Sequence, residues 1–422
     1  MPKRTPEQHS REIFSNTSTV LVTGFGDTAS LDAFGRQRVA NPESLFDTSF
    51  EYDLMPLLWQ MKTTGSGSAA HDSDARMATL SVGGSTGLVK GQTYSYFPYQ
   101  KGKSQRFLMT FVLGTVAGGI RRRVGYFDDS DGIFLEQTFA GLFLVLRSST
   151  SGAIVDTRIA QSDWNQDPFD GTGSSGITID VTRRQILDAD IEWLGVGRVR
   201  FGFNIDGKTV YAHYINNANI GAAAPYMRTG TLPLRYEIEN TGAGSAATLS
   251  AICSSVFSEG GFEKDRGVPF SASRGDVAAS VGARVPVLSI RPKATFNSIE
   301  NRGQITPLGV NIFTTSQSVF VEIVYNGLLF GTGAFVSVAD ESVTEYNVAA
   351  TVISGGYTLQ AFYVPVNGSG NNARGDITSP ILSRLPLTLD IDGANPIPLS
   401  IVCTPLSGTA SVLASLNENE VR

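Results

Sequence analysis

A chain of 422 residues with 41% hydrophobic side chains is long enough for two or three domains with cores of their own, which excludes disorder along its whole length. Charged residues make up only 17%, against roughly 25% in ordinary soluble domains, and the 45 glycines suit tight turns better than helices. The net charge of −6 argues against wrapping nucleic acid, because phosphate contacts need a basic surface.

Residues 1–30 read as an extended polar arm with Pro2, Pro6 and one short apolar patch, Val20, Leu21 and Val22. Such an arm frays unless a partner holds it, and the patch has the length to add a short strand to a neighbour's sheet edge. The opening MPKRTPEQHSREIF has no apolar core, so no secretory leader is expected. No stretch approaches the ~18 apolar residues of a membrane helix, so no membrane partner is expected either.

Residues 31–257 read as a large antiparallel β-sandwich of many short strands. Ser104–Val116 is an apolar run ended by Gly118-Gly119. Ile120–Phe127 and Ile133–Thr138 flank the turn Asp128-Asp129-Ser130-Asp131-Gly132, and Phe143–Arg147 and Ala153–Ile159 flank SSTSG. Val196–Ile205 alternates cleanly and meets Thr209–Tyr214 across Asp206-Gly207, a strong hairpin signal. Leu234–Ile238 and Ala247–Phe257 close the series, while Arg183–Asp190 has helical spacing over about two turns. Residues 258–284 are Gly/Ser-rich, mixed in charge and without periodicity, as a connector would be. Residues 285–422 hold about eight strand patterns with turns at Asn326-Gly327, Gly355-Gly356 and Asp392-Gly393, which fits a smaller immunoglobulin-like or jelly-roll sandwich. The expected class is all-β, two antiparallel sandwiches preceded by an arm.

Little in the chain points to catalysis. The histidines are His9, His71 and His213, and no Ser–His–Asp or Cys–His arrangement can be assembled from them without inventing proximity. His213 reads as a hydrogen-bonded strand residue. Cys253 and Cys403 are too few and too far apart for a disulfide scaffold or a zinc site, and read as buried small hydrophobes. Asp128, Asp129 and Asp131 begin like a calcium loop, but Phe139 stands where the twelfth-position glutamate belongs, so a hairpin turn is the better reading. Asp163, Trp164, Asp167 and Asp170 in SDWNQDPFDGTG mark an ordered loop; its functional reading is a sugar or cation site, its plain reading loop order alone. Arg121 and Arg123 point to one side of a strand and Arg122 to the other, so this cluster is no helical basic stripe. No catalytic residue, cofactor or metal ligand is nominated. Arginine outnumbers lysine 25 to 8, a bias found at protein interfaces and also in GC-rich codon usage.

The segment LDAFGRQRVANPESLFD (31–47), followed by Glu51-Tyr52-Asp53 and Leu57–Gln60, resembles the start of a widespread group of tailed-phage proteins that typically read DAFGRLRVS-P-TLFD. Four further segments are similar to that group: YQKGKSQ (99–105), DIEWLGVGRVRFGF (190–203), PYMRTGTLPLRYEIEN (225–240) and SEGGFEKDRGVPF (258–270). SIRPKATFNSIENRG and RLPLTLDIDG extend the resemblance towards the C-terminus.

Members of the group are loosely described as virion structural proteins. The resemblance therefore implies a capsid-decorating, head-fibre or tail-associated subunit, made in the host cytoplasm and kept in the virion. Its partners would be other virion proteins, capsid or tail subunits, and further copies of itself. The alternative is a receptor-binding fibre or spike module that recognises host surface glycans. In the motif itself Phe34 and Phe46 are aromatic anchors beside the guanidiniums of Arg36 and Arg38. With Val20, Leu21 and Val22 they form the expected assembly contact; the competing reading is a flap sealing the chain's own first sandwich.

Overall fold

The computed structural model describes residues 41–220, 223–261, 263, 266–331, 333–366, 373–375 and 385–422. The arm, with Val20, Leu21 and Val22, and the motif residues Phe34, Arg36 and Arg38 lie outside them. Residues Glu43–Arg422 form one compact unit. The described residues are all-β, with curled antiparallel sheets in a jelly-roll-like sandwich and one 3-10 turn at Gln161–Asp163.

A sheet of 13 strands fills the first part. Its strands are β1 (Glu43–Ser49), β2 (Trp59–Asp72), β3 (Met77–Thr93), β4 (Gln105–Val112), β5 (Ile120–Phe127), β6 (Gly132–Thr138) and β7 (Gly141–Ser148). β8 (Val155–Ala160), β9 (Gln185–Ile191), β10 (Val199–Ile205), β11 (Lys208–Ile215), β12 (Leu234–Asn240) and β13 (Ala247–Ser258) complete it. The order is β11-β10-β9-β4-β13-β3-β12-β5-β6-β7-β8, with β1 on β13 and β2 on β3.

The corner lies in the long hairpin β2/β3. Ala78–Val82 of β3 pair with β13, whereas Gly87–Gln92 pair with β12. The bend between these halves needs glycine: Gly65 has φ +58°, and a Cβ there would meet the Thr86 carbonyl oxygen at 2.3 Å. Folding the sheet at this corner turns one face of each half inward.

Period-two alternation then decides which side chains are buried. Phe107, Met109 and Phe111 of β4, Leu187, Ala189 and Ile191 of β9, Phe201 and Phe203 of β10, and Leu234, Tyr236 and Ile238 of β12 all enter one core. β9 corrects the expectation of helix at Arg183–Asp190. The apolar residues Leu187, Ala189 and Ile191 alternate, and partners on both sides, β4 and β10, supply the ladder bonds that an isolated two-turn helix lacks.

On the opposite face of β5, β6, β8 and β12, charges form a cross-strand ladder. Arg123 donates to Glu136 (2.8 Å) and to Glu237, and Arg158 donates to Glu136 (2.6 Å). Arg235 reaches Asp129 (2.5 Å) and Gln92 (2.8 Å). As strand alternation requires, Arg122 turns the other way. It donates to the Thr248 and Thr115 carbonyls and to Gln137, and burial lowers its pKa to about 10.

The C-terminal part is a second sandwich. One sheet centres on Ala410–Val421, which pairs with Gln304–Thr314 on one side and with Val268–Ser273 and Ala279–Val281 on the other. The facing sheet runs Val336–Ser337, Thr344–Asn347, Val285–Pro292, Leu399–Pro405, Val319–Tyr325, Tyr357–Val364. Leu288, Ile290, Ile312, Ile323, Ile401 and Val412 lie between them. The aperiodic connector expected over 258–284 is corrected here, because Val268–Ser273 and Ala279–Val281 are strands of this sandwich. Ser and Gly obscure their pattern, and pairing to the C-terminal strand fixes it.

The two parts share a seam. Leu57, Leu58 and Tyr94 pack on the second core, Gln60 Oε1 accepts from the Ile391 amide (2.8 Å), and the Arg302 guanidinium lies 4.3 Å from the Tyr96 ring centroid.

Candidate functional site

The most distinctive polar surface is the face of β1, β13, β4, β9, β10 and β11 turned away from the core. Register places Arg106, Asp190, Arg200 and Tyr214 in one row across β4, β9, β10 and β11. Leu108, Asp188, Gly202 and Tyr211 form the next row. Gly202 is required by close approach, since a Cβ there would meet the Val210 carbonyl oxygen at 2.5 Å, where the ladder is bulged.

Asp188 and Asp190 are almost fully buried, at 0% and 3% exposure, and each carries partners on both oxygens. Arg106 donates to Asp188 from Nε (2.7 Å) and Nη2 (2.5 Å), and the Thr209 hydroxyl adds a bond of 2.5 Å. Arg200 Nε donates to Asp190 Oδ1 (2.6 Å) and the Tyr211 hydroxyl to Oδ2 (3.2 Å). Burial raises the Asp190 pKa despite Arg200, while burial and then Asp190 push the Tyr211 phenol up to about 12. The guanidiniums also stack: Arg200 lies 4.9 Å from the Tyr211 centroid and Arg198 5.4 Å from that of Tyr214, and the two rings meet edge-to-face at 5.3 Å.

Beside these rows lies a shallow depression of about 510 Å³, lined by residues of β1, β4, β9, β10 and β13. Cys253 is on its wall. It is exposed, which corrects the expectation of a buried thiol; the bulge in β13 between Ala251 and Ser254 turns it outward. Burial and the Glu51 charge raise its pKa, so the thiol stays protonated at neutral pH. Cys403 is buried as expected.

The loop SDWNQDPFDGTG serves the fold directly. Trp164 is buried against Phe169 and Phe203, with ring centroids 6.4 and 6.3 Å away, so its face is not offered to a sugar. Asp167 accepts from the amides of Phe169 (2.9 Å) and Ser175 (2.8 Å); burial opposes its charge, but these donors hold the carboxyl below the usual range. Asp170 is exposed and accepts from the Thr172 amide (2.8 Å) and hydroxyl (2.6 Å). Asp163 is exposed on the 3-10 turn.

The same segment caps the edge of the sheet. The amides of Gln166 and Asp167 donate to the Ala212 carbonyl of β11, and Asn165 exchanges side-chain bonds with the Tyr214 backbone. An edge strand that would otherwise present unpaired backbone is thereby covered. The Asn165 amide also donates to His213 Nδ1 (3.1 Å), so His213 is the bonded strand histidine expected of it.

The remaining candidates are structural. Phe46, expected at an assembly contact, is buried against Phe97 (5.1 Å) and Trp59 (6.5 Å), because Phe46 and Thr48 take inward positions of β1 and Phe50, just beyond it, continues that side. Asp128 caps the turn amides of Ser130 (2.7 Å) and Asp131 (2.9 Å). Asp131 instead binds Ser149 and Arg228. Among the described residues no group of three or more His, Cys, Asp or Glu is placed to hold a metal ion. The pair Asp188/Asp190 was missed because the segment read as a helix, where residues two apart diverge. The alternation in Leu187-Asp188-Ala189-Asp190-Ile191 was the available signal.

No protein-family model matches the chain, and no curated protein matches it. Solved structures overlap half of it. A glycosyl hydrolase family protein from Mycobacterium fortuitum is 11% identical with a TM-score of 0.34, over 51% of this chain and 99% of its own. A beta-1,3-glucanase from Mycobacterium marinum gives 11% and 0.33, over 51% and 98%, and the Bacillus licheniformis beta-glucanase 12% and 0.32, over 51% and 97%. At such identities and TM-scores the likeness carries no inference about what this chain does.

Proposed function

We propose that the chain is a non-catalytic structural subunit of a tailed-phage particle, a capsid-decorating, head-fibre or tail-associated protein that works through contacts with other virion proteins. The observation that carries this reading is a junction at Tyr99, where four of the phage-like segments meet. The Tyr99 ring packs edge-on against Trp193 at 6.0 Å, and Trp193 Nε1 donates to the Met227 carbonyl (3.2 Å). The Tyr99 amide donates to the Thr231 hydroxyl (3.2 Å), and Arg266 Nη2 donates to the Tyr99 carbonyl (3.1 Å). Residues from 99–105, 190–203, 225–240 and 258–270 thus join where the first sheet approaches the second sandwich. The segments that carry the resemblance are packed together in this chain, which supports reading them as one scaffold.

The carboxylates fit the same reading. A glycosidase needs one carboxyl free to give a proton and another free to attack or to activate water. All four oxygens of Asp188 and Asp190 are already engaged by side chains of their own sheet face. Electron microscopy of purified particles labelled with antibody fragments against this chain tests the proposal. Labelling at a fixed position on intact particles is expected, and unlabelled particles that contain no trace of the chain would contradict it.

A further inference from the structure

We propose that β8 is a docking edge for a second copy of this chain, the two β8 strands pairing antiparallel about a two-fold axis at Thr157. β8 ends the 13-stranded sheet: it pairs with β7 on one side, and among the described residues no strand pairs with its other side. The opposite end of the sheet is treated differently, since the Gln166 and Asp167 amides cover β11. A free edge invites another strand, and proteins usually block it with lysine, proline or a bulge. β8 reads VDTRIA, with neither residue, and its register with β7 runs unbroken. At its far end Trp164 Nε1 donates to the Ile159 carbonyl (3.3 Å), an oxygen with a second lone pair for a partner's amide.

The sequence of β8 selects both occupant and register. Alternation puts Asp156 and Arg158 on the charged face, where Arg147 donates to Asp156 (2.8 Å) and Arg158 to Glu136 (2.6 Å). Val155, Thr157 and Ile159 take the other face. Ile159 packs against the first core, whereas Val155 is 50% exposed and Ile154, just before it, 58%. An axis at Thr157 sets Asp156 opposite Arg158 of the second copy, and Val155 opposite Ile159. Opposite charges and apolar pairs directly across a ladder are stabilising, and like charges are destabilising. An axis at Asp156 or at Arg158 would set each of those charges against itself. A strand complementary to its own reverse fits a second copy, the isologous contact of a two-fold dimer. The proposal does not rest on the virion reading: a chain that is monomeric in solution yet present on particles would sink this proposal alone.

Sedimentation equilibrium of the purified full chain tests it. A dimer is expected at about 100 μM, where a micromolar contact is saturated. Thr157 is exposed, so Thr157→Lys and Thr157→Asp each bring like charges face to face at the axis without touching the core. Each should raise the dimer dissociation constant about five- to tenfold. Mixed in equal amounts, the two variants set Lys against Asp and should recover the parent's association. Melting temperatures like the parent's at high dilution would show that both variants fold. A second readout needs no variant: amide exchange over residues 154–160 of the parent should slow as concentration rises from monomer to dimer. Four results would overturn the proposal: a parent monomeric at 100 μM, single variants that dimerise like the parent, a mixture as weak as its components, or exchange over 154–160 that ignores concentration.

Discussion

Glu418 and Glu420 project from the same side of the C-terminal strand into the second sandwich, yet only Glu420 is provided for. Its carboxylate accepts from the Ser342 and Thr344 hydroxyls (2.5 and 2.9 Å) and from the Val343 amide (3.0 Å). Glu418 is fully buried, and neither of its oxygens has a hydrogen-bond partner among the described residues. Burial, opposed by the nearby Thr344 hydroxyl and reinforced by the Glu420 charge, pushes the Glu418 carboxyl up to about 8.

The folded chain therefore keeps a proton at Glu418 that the unfolded chain releases near the ordinary glutamate value of about 4.3. Between those values the unfolded state binds fewer protons, so stability falls as pH rises, by at most about 1.4 kcal/mol per unit. Glu418→Gln removes this slope. Thermal melts from pH 4 to 9 should show the variant at or above the parent at pH 8 and beyond. A variant that melts lower there would mean that an ionised Glu418 is stabilising.

Arg123 holds two buried carboxylates, Glu136 and Glu237, and its removal leaves both without their shared cation. Arg123→Ala should cost about 3–5 kcal/mol, the range for breaking a buried ion pair by deleting one partner. Arg121→Ala, whose side chain is 36% exposed, should cost under about 1 kcal/mol. Chemical denaturation of both variants measures the contrast, and equal losses would refute the ladder as a buried support.

His213 accepts a hydrogen bond at Nδ1 from the Asn165 amide, which requires the neutral ring. Burial lowers its pKa, with Asp163 opposing. The unfolded chain takes up the proton first, so this contribution is present above about pH 6.5 and is lost as pH falls towards the lowered folded value. Amide exchange at Asn165 and Gln166, corrected for intrinsic rates, should accelerate between pH 7.5 and 5, and His213→Phe should remove that dependence. Constant protection across the range would contradict the link between His213 and the edge cap.

Limited trypsin digestion tests the seam. Val268–Ser273 and Ala279–Val281 are paired to the C-terminal strand, and Arg274 donates to the Val287 and Val348 carbonyls (2.7 and 2.6 Å). Cleavage at Arg274 is expected only as fast as global unfolding. Rapid cutting there, with release of a stable C-terminal fragment, would show a loose connector instead.

The strands that alternate apolar with polar residues were legible in the sequence. Val199–Ile205 and Lys208–Ile215 form a hairpin across Asp206-Gly207, whose φ values of +50° and +77° suit the primed turn that these residues favour. What failed to show was decided by distant partners. Val268–Ser273 becomes a strand because Ala410–Val421 offers an edge, and Gln185–Ile191 because β4 and β10 flank it. The loop was legible as an ordered segment, but its work of covering β11, through the Gln166 and Asp167 amides and the Asn165 side chain, depends on Ala212 and Tyr214, about fifty positions away. The polar face stayed hidden because it is assembled from several strands that no local pattern connects.

The central claim, that this chain is a structural part of a phage particle, is met most directly by counting it. Purified particles digested in the presence of isotope-labelled standard peptides from this chain should yield a constant copy number per particle, reproduced between preparations and resistant to salt washing. A copy number that scatters between preparations, or falls to nothing on washing, would contradict the account.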